Sequence, residues 1–214
     1  MHIPDGFISP QTYLPAAVVG VGLLAIAYKK VNLDIEKIPM LSGVSAIAFV
    51  MMLIIFPIPG GTTVHLSGIA IVALLFNPWM AFMSISLVLL IQALMFGDGG
   101  VTAYPLNMLS LAFLGSFSAY YGYHLFKNVS KKFATLFAGW ISIVLPSLFI
   151  ATVLGMQPMI ASADDGSPLF FPFGLDVTLP SIVIPHLLLG LLEGLVTFGV
   201  VHFLRLRFKR AFDE

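Results

Sequence analysis

Six apolar runs constrain this chain more than any other feature. They cover Thr12–Tyr28, Met40–Phe56, Trp79–Phe96, Pro105–Phe126, Phe133–Leu154 and Leu179–Leu204. Each approaches or exceeds the roughly 17–25 residues that cross a bilayer as a helix. A further run, Leu66–Phe76, stops at Asn77-Pro78 and covers only about 16 Å of a hydrocarbon core of roughly 30 Å. It is either a short helix completed by the turn at Pro78 or a half-helix shielded by protein. Counted as a span, it brings the number to seven.

Charge placement tests that count. With the N-terminus outside, the inner loops hold Lys29, Lys30 and Lys37, then Lys127, Lys131 and Lys132, then Arg205, Arg207, Lys209 and Arg210, which is all 10 basic residues. The outer segments hold Asp5, Asp98, Asp164, Asp165 and Asp176, with no Lys or Arg. Positive-inside orientation predicts this division, and six spans would break it. The expected fold is an all-α, seven-helix transmembrane bundle, one domain over residues 1–214, multi-pass in the cell membrane with its C-terminus cytoplasmic. Met1 to Gln11 has no basic n-region and carries Pro4, Asp5 and Pro10, so the first apolar run is expected to remain in the mature protein.

Composition excludes several chemistries. Only 9% of residues are charged, against roughly 25% in soluble domains. There is no cysteine, so disulfides and thiolate chemistry are out. A formal net charge of zero argues against a nucleic-acid partner. There is no P-loop, no His-Glu-x-x-His and no Gly-x-Ser-x-Gly elbow. Gly43-Val44-Ser45-Ala46 offers a serine without a histidine to activate it, which weighs against an intramembrane hydrolase. Gly20-Val21-Gly22 lies mid-span with no preceding strand and is no dinucleotide fingerprint. The chain is read as a non-enzyme without organic cofactor, and work against a gradient would need energy from another subunit.

The polar machinery is expected on the outside. Met1-His2 offers an α-amine, the His2 amide and the His2 imidazole, which can chelate one ion through fused five- and six-membered rings if the terminus is free. A fourth nitrogen would complete a square-planar site, a geometry that favours nickel(II) or copper(II). His65 follows the turn-forming Pro57-Ile58-Pro59-Gly60-Gly61 and is the leading candidate. Gln92, Asp98, Thr102 and Asn107 flank a Gly-Asp-Gly-Gly turn and could orient the ligands and the terminal segment, or Asp98 could cap the next helix. Glu193 is the one acid inside a span, a position that makes it a functional hypothesis; a structural or coupling role is expected. His124, His186 and His202 are read as buried or interfacial. Ala16, Gly20 and Ala27 make one side of the first helix compact, and residues 155–178 form a long external segment. A vitamin-capturing membrane subunit would share these helices but would not need Met1-His2.

Together these residues carry a resemblance. Met1-His2-Ile3-Pro4-Asp5-Gly6, then Gly61-Thr62-Thr63-Val64-His65-Leu66-Ser67-Gly68, then Gln92 through Asn107, then Glu193-Gly194-Leu195-x-Thr197 resemble the CbiM/NikM family. These are the substrate-capture (S) components of energy-coupling factor transporters for cobalt and nickel. The resemblance implies a seven-helix bundle whose N-terminus inserts into it, with Ni2+ or Co2+ held by the Met1 amine, the His2 amide and imidazole, and His65. It also implies partners: a CbiQ/NikQ-type transmembrane coupling protein, CbiO/NikO-type ATPases and a small CbiN/NikN-type accessory protein. Two departures stand out. Tyr104-Pro105-Leu106-Asn107 precedes Ser110-Leu111 where the family usually has Leu-Gly-x-Asn-x-x-Asn-Met. Around His65, Val64-His65-Leu66-Ser67-Gly68 looks closer to the nickel-type form than to the cobalt-type Ser-His-Pro-Thr-Gly.

Overall fold

The computed structural model describes residues 2–31, 35–58 and 62–207, and over them the chain is predominantly helical. The apolar runs become α1 (Pro10–Lys30), α2 (Ile38–Met52), α4 (Pro78–Ile91), α7 (Lys131–Gly155) and α9 (Leu175–Arg207), with short α3 (Ile69–Leu75) after the second. α5 (Tyr104–Asn107) and α6 (Ser116–Phe126) are joined by a π-helical stretch, Met108–Gly115, and α8 (Gln157–Ile160) is one turn. Local sequence sets the helix starts. Prolines occupy the first turn of α1, α2 and α4, where a missing N–H leaves no bond unmade. The Asn77 side chain caps α4 by accepting from the Met80 amide at 2.9 Å.

Among the described residues, five helices are long and apolar enough to cross a membrane: Pro10–Lys30, Ile35–Met52, Pro78–Phe96, Lys131–Ile160 and Leu175–Arg207. The run expected over Pro105–Phe126 is helical too, but its pitch widens over Met108–Gly115, so no regular piece of it reaches that length alone. All seven residues of α3 are buried, so this short helix is sheathed in protein.

One expected boundary is corrected. The second run does not continue to Phe56: α2 ends at Met52, and Ile55–Ile58 (β1) pairs antiparallel with Thr62–His65 (β2). The reason is local, since Pro57 interrupts helical bonding and the following Thr-Thr-Val is β-branched. The expected Pro57–His65 loop is therefore largely a hairpin that sets His65 opposite Ile55. Its tip, residues 59–61, lies outside the described residues, as does Met1.

Packing is closest where side chains are smallest. An added Cβ at Gly20 of α1 would run into the Met108 methyl, so the small-residue face of α1 is filled there from within the subunit. α7 and α9 approach through Gly139 and Gly194, where a Cβ on the first would meet Cα of the second at 2.6 Å. One end of the bundle gathers the N-terminal segment and residues 97–104 and 155–173. The other gathers Lys131, Lys132, His202 and Arg205 around a cavity of about 350 Å³.

Candidate metal centre

The N-terminal segment is buried and tied at successive residues. His2 is 4% exposed, and Ile3 and Ser9 are fully buried. Asn107, at the end of α5, grips Ile3 from both sides: its Oδ1 accepts from the Ile3 amide at 2.8 Å, and its Nδ2 donates to the Ile3 carbonyl at 3.0 Å. The Gly100 amide donates to the same carbonyl at 2.8 Å. The Asp5 carboxylate accepts from the Val101 and Thr102 amides at 3.0 and 2.8 Å and from the Thr102 hydroxyl. These bonds hold Asp5 below the usual carboxylate range, the Thr102 hydroxyl contributing most. Further along, the Ser9 amide donates to Gln157 Oε1 at 2.9 Å, and Phe171 to the Phe7 carbonyl at 3.3 Å. The glycine turn permits this approach. A Cβ on Gly99 would come within 3.3 Å of His2 Cβ, and one on Gly100 would run into the Asp5 amide nitrogen.

Two histidines meet there. The His2 and His65 rings stack with centroids 4.7 Å apart and planes 24° from parallel. His65 is fully buried, and its Nδ1 lies 3.0 Å from the Leu66 carbonyl. A carbonyl only accepts, so that contact assigns the proton to Nδ1 and leaves a lone pair on Nε2. Among the described residues, neither His2 Nε2 nor His65 Nε2 has a hydrogen-bond partner, an arrangement that is costly in a buried imidazole without further use. His2 Nδ1 is 2.9 Å from Asp98 Oδ1. Burial pushes the His2 imidazole below its ordinary pKa despite that carboxylate, and burial holds His65 well below. Burial works against the charge of Asp98, but the His2 ring beside it more than offsets this and keeps the carboxyl below its usual range. Both rings are therefore neutral at pH 7 and able to donate lone pairs.

No three His, Asp or Glu side chains among the described residues converge closely enough to hold an ion. Any ion at this spot must draw on donors other than these side chains. The Met1 amine, the first of those expected, lies outside the described residues.

The surrounding residues separate into those that reach the segment and those that do not. Asp98 contacts His2 instead of capping the next helix, Thr102 binds Asp5, and Asn107 binds Ile3. Gln92 is buried and its carbonyl accepts from the Asp98 amide at 3.2 Å, but its side-chain amide makes no hydrogen bond among the described residues. Glu193 points at the strand exit below His65, where it accepts from Ser67 and Gly68. Sequence reasoning missed Asp5, Ser67 and Gln157 as anchors. Only Asp5, inside a Pro-Asp-Gly turn, carried a signal. His186 is fully buried with Nδ1 at 2.6 Å from the Ile182 carbonyl, His124 contacts the Tyr120 carbonyl at 2.8 Å, and His202 is exposed at the basic end.

Comparison with known proteins gives one consistent picture. The family described as cobalt uptake substrate-specific transmembrane region, CbiM, matches residues 2–211. The fused nickel transport protein NikMN of Rhodobacter capsulatus is 37% identical over 96% of this chain and 62% of its own. The probable fused nickel transport protein LarMN of Lactiplantibacillus plantarum is 36% identical over 96% of this chain and 64% of its own, so this chain spans less than two thirds of either fused relative. The cobalt transport protein CbiM of Clostridium tetani is 28% identical over 95% of this chain and 83% of its own. A crystal structure of a truncated transition metal transporter superposes with a TM-score of 0.92 at 39% identity, over 95% of this chain and 98% of the other.

Proposed function

Because the chain belongs to the CbiM family of cobalt-uptake substrate-specific transmembrane regions, and is a multi-pass membrane protein, we propose that it is the metal-capturing subunit of an ATP-driven energy-coupling factor transporter that takes up nickel(II) or cobalt(II). Nickel is the favoured substrate. The relatives named for nickel are 34–37% identical and the named cobalt proteins 28–29%, and the residues around His65 follow the nickel-type pattern.

The observation that carries the reading is the stacked, buried pair His2 and His65, with His2 Nδ1 facing Asp98 and His65 Nε2 unpartnered, beneath a terminal segment stitched down at Ile3, Asp5 and Ser9. A chain end frays unless it is tied down. The ligands are the Met1 amine, the His2 amide, the His2 imidazole through Nδ1, and His65 Nε2. Nδ1 closes the six-membered chelate ring, so the arriving ion replaces the proton facing Asp98. Asn107 and Thr102 keep the segment seated while this happens, and the Gln92 carbonyl holds the Asp98 amide. Binding releases protons and weakens on acidification.

The full fold is a seven-pass bundle, with α3 counted as the short pass and residues 104–126 as one, N-terminus outside and C-terminus inside. The partners are a coupling membrane protein of the CbiQ/NikQ type, ATPases of the CbiO/NikO type, which supply the P-loops this chain lacks, and an accessory membrane protein of the CbiN/NikN type. They move this subunit to release the ion inward.

Nickel binding by the purified chain tests the core of this. Native protein with a C-terminal tag binds one equivalent. A long N-terminal extension abolishes binding, and His65→Ala weakens it by about 100-fold or more as one nitrogen donor is lost. Unchanged affinity in the extended protein would overturn the terminal chelate.

A further inference from the structure

Glu193 has no direct place among the ligands, yet its carboxylate is fully buried and fully used. Oε2 accepts from the Ser67 amide at 2.9 Å, and Oε1 accepts from the Ser67 hydroxyl at 2.9 Å and the Gly68 amide at 2.8 Å. Every group facing it is a donor, so the pocket calls for two acceptor oxygens and would set an amide N–H against an N–H. These are the otherwise unpaired groups at the start of α3, and Ser67 lies two residues after His65. At the opposite end of α3, Arg205 donates to the Leu74 carbonyl at 3.1 Å. Both Glu193 and Arg205 belong to α9, so one continuous helix grips both ends of the short buried one.

The segment between His65 and α3 has few other ways to be placed. Gly68 holds φ +65°, and a Cβ there would stand 2.9 Å from Ala48 Cα of α2, so the chain turns against a wall of backbone. On the other side the strand pairing with Ile55 fixes the main chain at His65 itself. Glu193 supplies the hydrogen bonds that join these two constraints.

Building on the reading of His65 as a ligand, we infer that Glu193 is the positioning residue that fixes His65 over the ion, so that metal affinity is set from α9. It touches neither ion nor ligand. It sets where the His65 ring points by holding Ser67 and Gly68, and any shift of α9 is transmitted to that ring. Because Arg205 ties the same helix to the inner end of α3, the basic end of the bundle and the metal centre share one mechanical element.

The test is a double-mutant cycle on the full chain in detergent, with Ni2+ alone as probe and affinity read by competition with a chelator. Glu193→Gln should lower affinity by about 10–100-fold. Its nickel-loaded absorption spectrum should shift to that of His65→Ala, because both lose the same nitrogen donor. In the His65→Ala background, Glu193→Gln should cost less than about twofold more, since the residue it positions is already gone. Ser67→Ala, which removes one of three hydrogen bonds and keeps the main chain, should weaken binding about fivefold and serves if Glu193→Gln does not fold. Native affinity and spectrum in Glu193→Gln, or equal losses in both backgrounds, would overturn the inference while leaving metal capture intact. Failure of the native chain to bind nickel would instead sink the functional reading beneath it.

Discussion

At the scale of single residues, the centre is governed by burial of groups that water would ordinarily satisfy. Ile3 has no side-chain chemistry, yet its amide donates to Asn107 and its carbonyl accepts from Asn107 and Gly100, three hydrogen bonds in all. That is how a chain end whose freezing costs roughly 1–2 kcal/mol per residue in backbone entropy can be kept in place. Burial also makes the site sensitive to protons. His2 and His65 are both held below their ordinary pKa in the fold, first of all by burial. As pH falls through about 6.5, the unfolded chain takes up protons that the folded chain refuses, so the unfolded state gains. Stability is fully present above about 6.5 and declines below it, by up to about 1.4 kcal/mol per pH unit for each ring. Thermal unfolding of the purified protein without added metal, followed from pH 7.5 to 5.5, should therefore show a falling midpoint. His65→Gln, which cannot titrate, should show a shallower fall. An equal slope in both would mean that His65 protonates freely in the fold.

At the scale of elements, α9 organises the molecule. It packs along α7 through glycines and carries Glu193 and Arg205 to the two ends of α3. A Cβ on Gly194 would stand 2.5 Å from the Leu136 carbonyl oxygen, a backbone atom that cannot swing aside. Gly194→Ala should therefore open the α7–α9 contact and cost about 1–3 kcal/mol. Gly199→Ala, on the same helix with nothing within 4 Å of its new methyl, should be neutral or slightly stabilising. Thermal unfolding of the two variants in detergent separates crowding from any general intolerance of α9; equal midpoints would show that the helices do not meet at Gly194. The helices themselves were legible because lipid leaves a chain few options: a long apolar run becomes a helix. The hairpin was not, because Ile54-Ile55-Phe56 extends the apolar run before it and only pairing across an unseen turn makes it a strand. The role of Glu193 was hidden for the same reason. Its partners, Ser67 and Gly68, are 125 residues or more away in sequence, and no local pattern links them.

At the scale of the whole molecule, the two ends of the bundle differ in kind. One carries the terminal segment, the Gly-Asp-Gly-Gly turn and residues 155–173 bound to one another. The other carries two lysines, Arg205 and His202 around a cavity. α9, with Asp176 in its first turn and Arg205 and Arg207 in its last, is about 50 Å long and exceeds a bilayer core of roughly 30 Å. It therefore either tilts or projects into the aqueous phase. The sign of its ends fits both the helix macrodipole and positive-inside insertion with residue 207 in the cytoplasm. On the proposed orientation the candidate metal centre faces the outside, opposite the face where the proposed ATPases would act. The absence of native cysteine permits a background-free check. Val129 is 83% exposed between α6 and α7, and Asp164 is exposed between α8 and α9. A membrane-impermeant maleimide applied to spheroplasts should label Asp164→Cys at once and Val129→Cys only after the membrane is broken. The reverse pattern would place the histidine pair on the cytoplasmic face, where the same nitrogens would serve export or storage, and uptake would have to be abandoned as the function.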